Sequence, residues 1–108
     1  IAQAEARRVT AEKRFLAQQA TIQGELDIAL AGYQASRAKV ATAAQLAQEA
    51  IAAADTTKRM VDAGEVSALE LTRRQIETST ANVALLAAQL EAQTAAGALE
   101  DAMQATLK

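Results

Sequence analysis

The stretch Ala63-Gly64-Glu65-Val66-Ser67-Ala68-Leu69-Glu70-Leu71 decides the fold. Gly64 lacks a Cβ and can take the left-handed backbone that closes a helix C-terminus. Ser67 and Glu70 stand at the S-x-x-E spacing of a capping box, in which each side chain satisfies a free N–H at the start of the next helix. Val66 and Leu71 hold the two positions of a hydrophobic staple around that cap. One short stretch therefore ends a helix, begins another and sets the angle between them. It reads as the tip of a hairpin.

On both sides of the tip the chain favours unbroken helix. The 108 residues contain no Pro, Cys, His or Trp, and 51% are hydrophobic. Phe15 and Tyr33 are the aromatics, so that hydrophobic share is mostly Ala, the strongest helix former and a poor source of buried area. Such a composition makes long helices packed through small residues, not a thick globular core.

Upstream of the tip, Leu26, Tyr33, Val40, Ala47, Ala54 and Val61 recur at heptad spacing, with Ile22, Ala29, Ala43 and Ala50 on a neighbouring line. Val9 and Phe15 continue the apolar side, but Glu12 and Gln19 interrupt it, so the first segment is expected to be less fully paired. Downstream, Leu69, Ile76, Val83 and Leu90 repeat by sevens and lead to Gly97. Leu86, Ala87 and Thr94 are expected as their companions. The predicted fold is all-α, a long antiparallel two-helix coiled-coil hairpin forming a single domain. Its first helix covers about residues 1–62, its turn about 63–66 and its second helix about 67–107. At the α-helical rise the arms measure roughly 90 and 60 Å, so the first overhangs the second. Gly24, Gly32 and Gly97 are expected to allow close helix contact, because none lies in a Gly-rich loop at a helix N-terminus.

Chemistry is not expected. Glu65, Glu70 and Glu77 sit on helices too thin to enclose a pocket that would retune a carboxylate. Ser67 has no His to activate it, and capping is its expected role. No catalytic, cofactor-binding or metal-binding residue is assigned, and the chain is read as not an enzyme. Lys58-Arg59 and Arg73-Arg74 flank the tip, and Arg7-Arg8 and Lys13-Arg14 lie near the start, as solvated charges. The formal net charge of −2, with both signs interspersed, offers no face for nucleic acid. No run approaches the ~18 apolar residues of a membrane span. The chain opens on Ile1 with no leader-like segment, and is expected to be a portion of a longer protein.

The run from Met60 to Leu71, then Gln75, then Ala81-Asn82-Val83-Ala84-Leu85-Leu86-Ala87-Ala88-Gln89, resembles the second periplasmic hairpin of the outer membrane efflux proteins, the TolC-like exit ducts of Gram-negative bacteria. Ala98-Leu99-Glu100-Asp101-Ala102 is similar to the end of that hairpin's last helix. The resemblance implies a periplasmic part of an outer membrane protein, assembled as a trimer into an α-barrel. The turn would dock onto a periplasmic adaptor and, through it, an inner-membrane pump. On this analogy Ala63, Gly64, Glu65 and Val66 form the adaptor-docking tip, while Glu70 and Arg73 are candidate channel-mouth charges.

The chain also departs from that family. Members often carry a Tyr three residues before the turn Gly, and in some an Arg two after it, which hold the mouth closed; here those positions are Val61 and Val66. Arg73 stands where an acid is frequent, which weakens the expectation of a cation-attracting mouth. Two other readings stay open: the α-hairpin of a periplasmic adaptor, although Thr72 replaces its usual acid, and a generic structural coiled-coil hairpin. Two Ala-rich helices bury little, so the isolated chain is expected to self-associate.

Overall fold

The computed structural model describes residues 1–107. It contains two helices, α1 (Ala2–Asp62) and α2 (Ala68–Leu107), and among the described residues no strand. The fold is the all-α hairpin. Among the described residues no helix is long and apolar enough to cross a membrane. The chain divides into two compact units, one from Gln34 to Thr94 and one joining Ile1–Tyr33 to the segment from Ala95 onward.

The first unit contains the turn. Glu65 N–H donates to the Met60 carbonyl at 2.9 Å and Gly64 N–H to the Val61 carbonyl at 3.0 Å. This crossed pair is a Schellman motif, with Gly64 at φ 77° in the left-handed position that the motif requires. Three residues later Ser67 precedes α2, and Glu70 N–H donates to the Ser67 carbonyl at 3.1 Å. The reciprocal box is altered, because both carboxylate oxygens of Glu70 face arginines of α2 instead of turning back to Ser67. Two guanidinium groups at i+3 and i+4 attract a carboxylate more strongly than a neutral backbone N–H does. Val66 and Leu71 are both half-buried, as a staple requires.

From the turn the helices pack along a 3-4 alternation of small side chains. On α1 the heptad line read from the sequence lies in the seam: Val40, Ala54 and Val61 are half-buried and Ala47 is buried, with Ala43 and Ala50 beside them. Two polar residues complete the alternation. Ser36 and Thr57 are buried, each 7% exposed. Thr57 Oγ1 donates to the Ala53 carbonyl one turn back at 2.9 Å, so its polar atom is satisfied within α1.

On α2 the structure overturns the expected seam. Leu69, Ile76, Val83 and Leu90 are 72%, 62%, 67% and 56% exposed, and Leu86, Ala87 and Thr94 are exposed as well. The line facing α1 is instead Leu71, Arg74, Thr78, Ala81, Leu85, Ala88 and Ala92. The turn is the physical cause. A short connection that tucks Val66 and Leu71 inward fixes the rotation of α2, and the inward line must then follow Leu71 in steps of three and four. Small residues on this line, Thr78, Ala81 and Ala88, also allow a closer approach to the alanines of α1 than Ile and Leu would. The close approach is evident at Thr78, whose hydroxyl is shared between the Ala50 carbonyl of α1 at 3.3 Å and its own Arg74 carbonyl at 3.0 Å.

In the second unit, Ile22, Leu26, Ala29 and Tyr33 of α1 are half-buried, as are Ala95, Leu99 and Ala102 of α2. A shallow cleft lined by Phe15, Gln19, Ile22 and Thr106 marks where α2 runs out. Residues 1–20 are all exposed, Phe15 and Leu16 at 59% and 63%. The overhang expected from the unequal arms is present. The expectation for the shaft glycines fails, since an added Cβ at Gly24, Gly32 or Gly97 would meet nothing within 4 Å.

This geometry predicts opposite signs for glycine substitutions. Gly32→Ala and Gly97→Ala each stabilise the chain by ~0.5–1 kcal/mol, because alanine stiffens the unfolded helix segment and no neighbour obstructs it. Gly64→Ala destabilises it by about 1 kcal/mol through the left-handed backbone alone. Urea unfolding followed by far-UV circular dichroism checks both signs.

Candidate functional site: the tip and the free face of α2

The tip puts backbone and charge into solvent. Ala63, Gly64 and Glu65 are exposed, and nothing lies within 4 Å of where a Gly64 side chain would begin. Of the four residues assigned to the docking tip, Val66 is half-buried, turned partly inward by its staple position. Leu69, in the first turn of α2, is expected in the seam from its heptad spacing but is exposed, so it adds an apolar side chain to the surface beside the tip. Its 72% exposure three residues after the half-buried Val66 reflects the rotation set by the turn.

Behind the tip runs a chain of ion pairs along α2. Glu70 Oε2 lies 3.8 Å from Arg73 Nη1, and Glu70 Oε1 lies 3.6 Å from Arg74 Nε. Arg74 Nη1 in turn donates to Glu77 Oε2 at 3.1 Å. The two candidate mouth charges, Glu70 and Arg73, therefore partly neutralise each other. These side chains are a third to two thirds exposed, and each pair is worth well under ~1 kcal/mol. Arg74 differs from its neighbour: it occupies a seam position, its side chain is 39% exposed, and its Nε is buried without a hydrogen-bond partner. Nothing in a hydrophobic pattern reveals an arginine in a coiled-coil seam, and the expectation of a solvated charge at Arg74 fails.

The second feature is the free face of α2. Ile76 and Val83 border a shallow depression lined by Thr72, Gln75, Ser79 and Thr80 of the same helix. Alongside, Leu46 of α1 and Ile76, Thr80 and Ala84 of α2 line a second shallow strip. Lys39 and Glu91 bridge the two helices at 3.4 Å on the surface.

The two faces of α2 predict a contrast between adjacent leucines. Leu85→Ala in the seam costs about 1–2 kcal/mol, whereas Leu86→Ala, at a site 57% exposed, changes stability by no more than ~0.5 kcal/mol. Denaturant unfolding at concentrations where the chain is monomeric checks the difference. Comparison of the chain with family models, with curated proteins and with solved structures finds no match.

Proposed function

We propose that this hairpin is a periplasmic part of an outer membrane efflux duct of the TolC-like kind, and that its tip docks onto a periplasmic adaptor linked to an inner-membrane pump. What supports the reading is the tip itself. The sequence segment that resembles the family, from Met60 to Leu71, coincides with a Schellman-closed turn that exposes Ala63, Gly64 and Glu65. A rigid turn with a side-chain-free residue at its apex lets a partner approach the backbone, which suits recognition by another hairpin end. The helical shafts act as spacers holding that turn at a set distance. In the parent protein the duct is a trimer, and cargo selection belongs to the pump.

The pairing of Glu70 with Arg73 and Arg74 refines the expectation for the mouth. A carboxylate held by two guanidinium groups contributes little net negative field. On this reading the segment offers shape more than charge to its partner and to passing solute.

The test is made in the full-length parent. Gly64→Trp is expected to abolish cross-linking to the adaptor and efflux-dependent resistance, with expression and helix content nearly unchanged. A substitution of the exposed shaft residue Gln93→Ala is expected to leave both intact. Undiminished cross-linking in Gly64→Trp, or a parent gene whose flanking sequence encodes lipoyl-like halves, would refute the duct reading.

A further inference from the structure

We infer that the turn is a rotational catch: it holds α2 in the less apolar of two seams that this helix can form with α1, and the second seam forms when the turn is lengthened. The inference concerns α1 and α2 of one chain and stands whatever the tip docks onto.

Two lines of α2 share one spacing. The seam runs through Leu71, Arg74, Thr78, Ala81, Leu85, Ala88 and Ala92. Two residues earlier at every step stand Leu69, Thr72, Ile76, Ser79, Val83, Leu86 and Leu90, all of them exposed. Both lines keep the same alternation of threes and fours, so either fits the line that α1 presents. Two residues of α-helix correspond to a rotation of about 200° and a rise of ~3 Å. Turning α2 about its own axis and sliding it by that rise therefore exchanges the two lines, and each step then meets the α1 residues that its counterpart meets now.

Composition favours the outer line. Ile76 corresponds to Thr78, Leu86 to Ala88 and Leu90 to Ala92, so the exchange buries a larger apolar side chain at three steps. Val83 for Leu85 and Ser79 for Ala81 run the other way by only a methylene and a hydroxyl. Arg74, whose Nε is buried without a hydrogen-bond partner, corresponds to Thr72. An unsatisfied buried donor costs stability, whereas a threonine hydroxyl is satisfied within its own helix, as Thr72 Oγ1 already is by the Ala68 carbonyl at 3.3 Å. On α1 the facing residues Ala43, Ala47, Ala50 and Ala54 are small enough to accept the larger side chains once the helices stand further apart.

The connection opposes the exchange. Residues 63–67 alone join the two helices, and the hydrogen bonds from Glu65 to Met60 and from Gly64 to Val61 fix their path. Val66 and Leu71 tuck inward around the cap, which commits Leu71, and with it the whole inner line, to the seam. A half-turn of α2 carries Leu71 to the outside, and a short connection closed by its own main chain cannot absorb that rotation. A local constraint of a few residues therefore overrides the composition of the helix that follows. The same sequence holds two packings, with the turn as the element that chooses between them.

The chain has no cysteine, so introduced pairs report the seam directly. Ala50→Cys is combined with Thr78→Cys to report the present seam, or with Ile76→Cys to report the second one. Each chain is oxidised at high dilution, and the internally closed monomer is measured. With the native turn the Thr78→Cys pair is expected to close about tenfold faster than the Ile76→Cys pair. With Gly-Gly-Ser-Gly inserted between Gly64 and Glu65, the order is expected to reverse, because a flexible connection leaves α2 free to rotate. Leu90→Ala, mild with the native turn, is expected to lower the urea midpoint clearly in the lengthened chain. The inference is overturned if the Thr78→Cys pair stays ahead or the two pairs close equally in the lengthened chain, or if Leu90→Ala is as mild there as before. Loss of helix content on lengthening would overturn it too, because the turn would then hold the helices together and not choose between two packings.

Discussion

Everything in this hairpin depends on how closely two backbones approach. Along the seam the side chains are mostly Ala, Ser and Thr, and near its middle a threonine of α2 reaches a main-chain carbonyl of α1, Thr78 Oγ1 to Ala50 at 3.3 Å. Such a contact needs a helix surface with almost nothing beyond Cβ. The choice has an energetic consequence. Among the described residues Ala47 and Ala88 are the buried apolar ones and no side chain is fully buried, so hydrophobic transfer contributes little per residue. The hairpin is held by helix propensity, by many short-range contacts and by the turn that joins its arms.

Because the seam takes the small residues, the large ones go elsewhere. Leu69, Ile76, Val83 and Leu90 would be core in a thicker bundle, yet here they form a second line opposite the first. A helix apolar on two opposite sides is suited to lie between two neighbours. α1 supplies one of them.

The tip works on a different principle. Its geometry is set by backbone hydrogen bonds from Glu65 to Met60 and from Gly64 to Val61, which need no core. Immediately beyond it, Glu70, Arg73, Arg74 and Glu77 occupy one another along α2. A turn closed by its own main chain and flanked by self-paired charges presents shape without a strong field. This agrees with the proposal that a partner is recognised at the end of the hairpin while the shafts set its position.

Local physics was legible in the amino-acid sequence. A left-handed Gly, the staple residues around it and the absence of Pro specify two helices and the place where they turn, because each acts within a few residues of itself. The α1 seam was legible too, since one apolar line dominates that arm, apart from Ser36 and Thr57, which are small enough to act as alanines. The α2 seam was not. Two lines compete there, and hydrophobicity favours the one with larger residues. Only the tertiary structure decides between them, because the decision rests on the rotation imposed by the turn and on the space that the alanines of the opposite helix leave. The same holds for Arg74, whose place in the seam follows from that rotation, and for Gly32 and Gly97, where open space replaces the expected close contact.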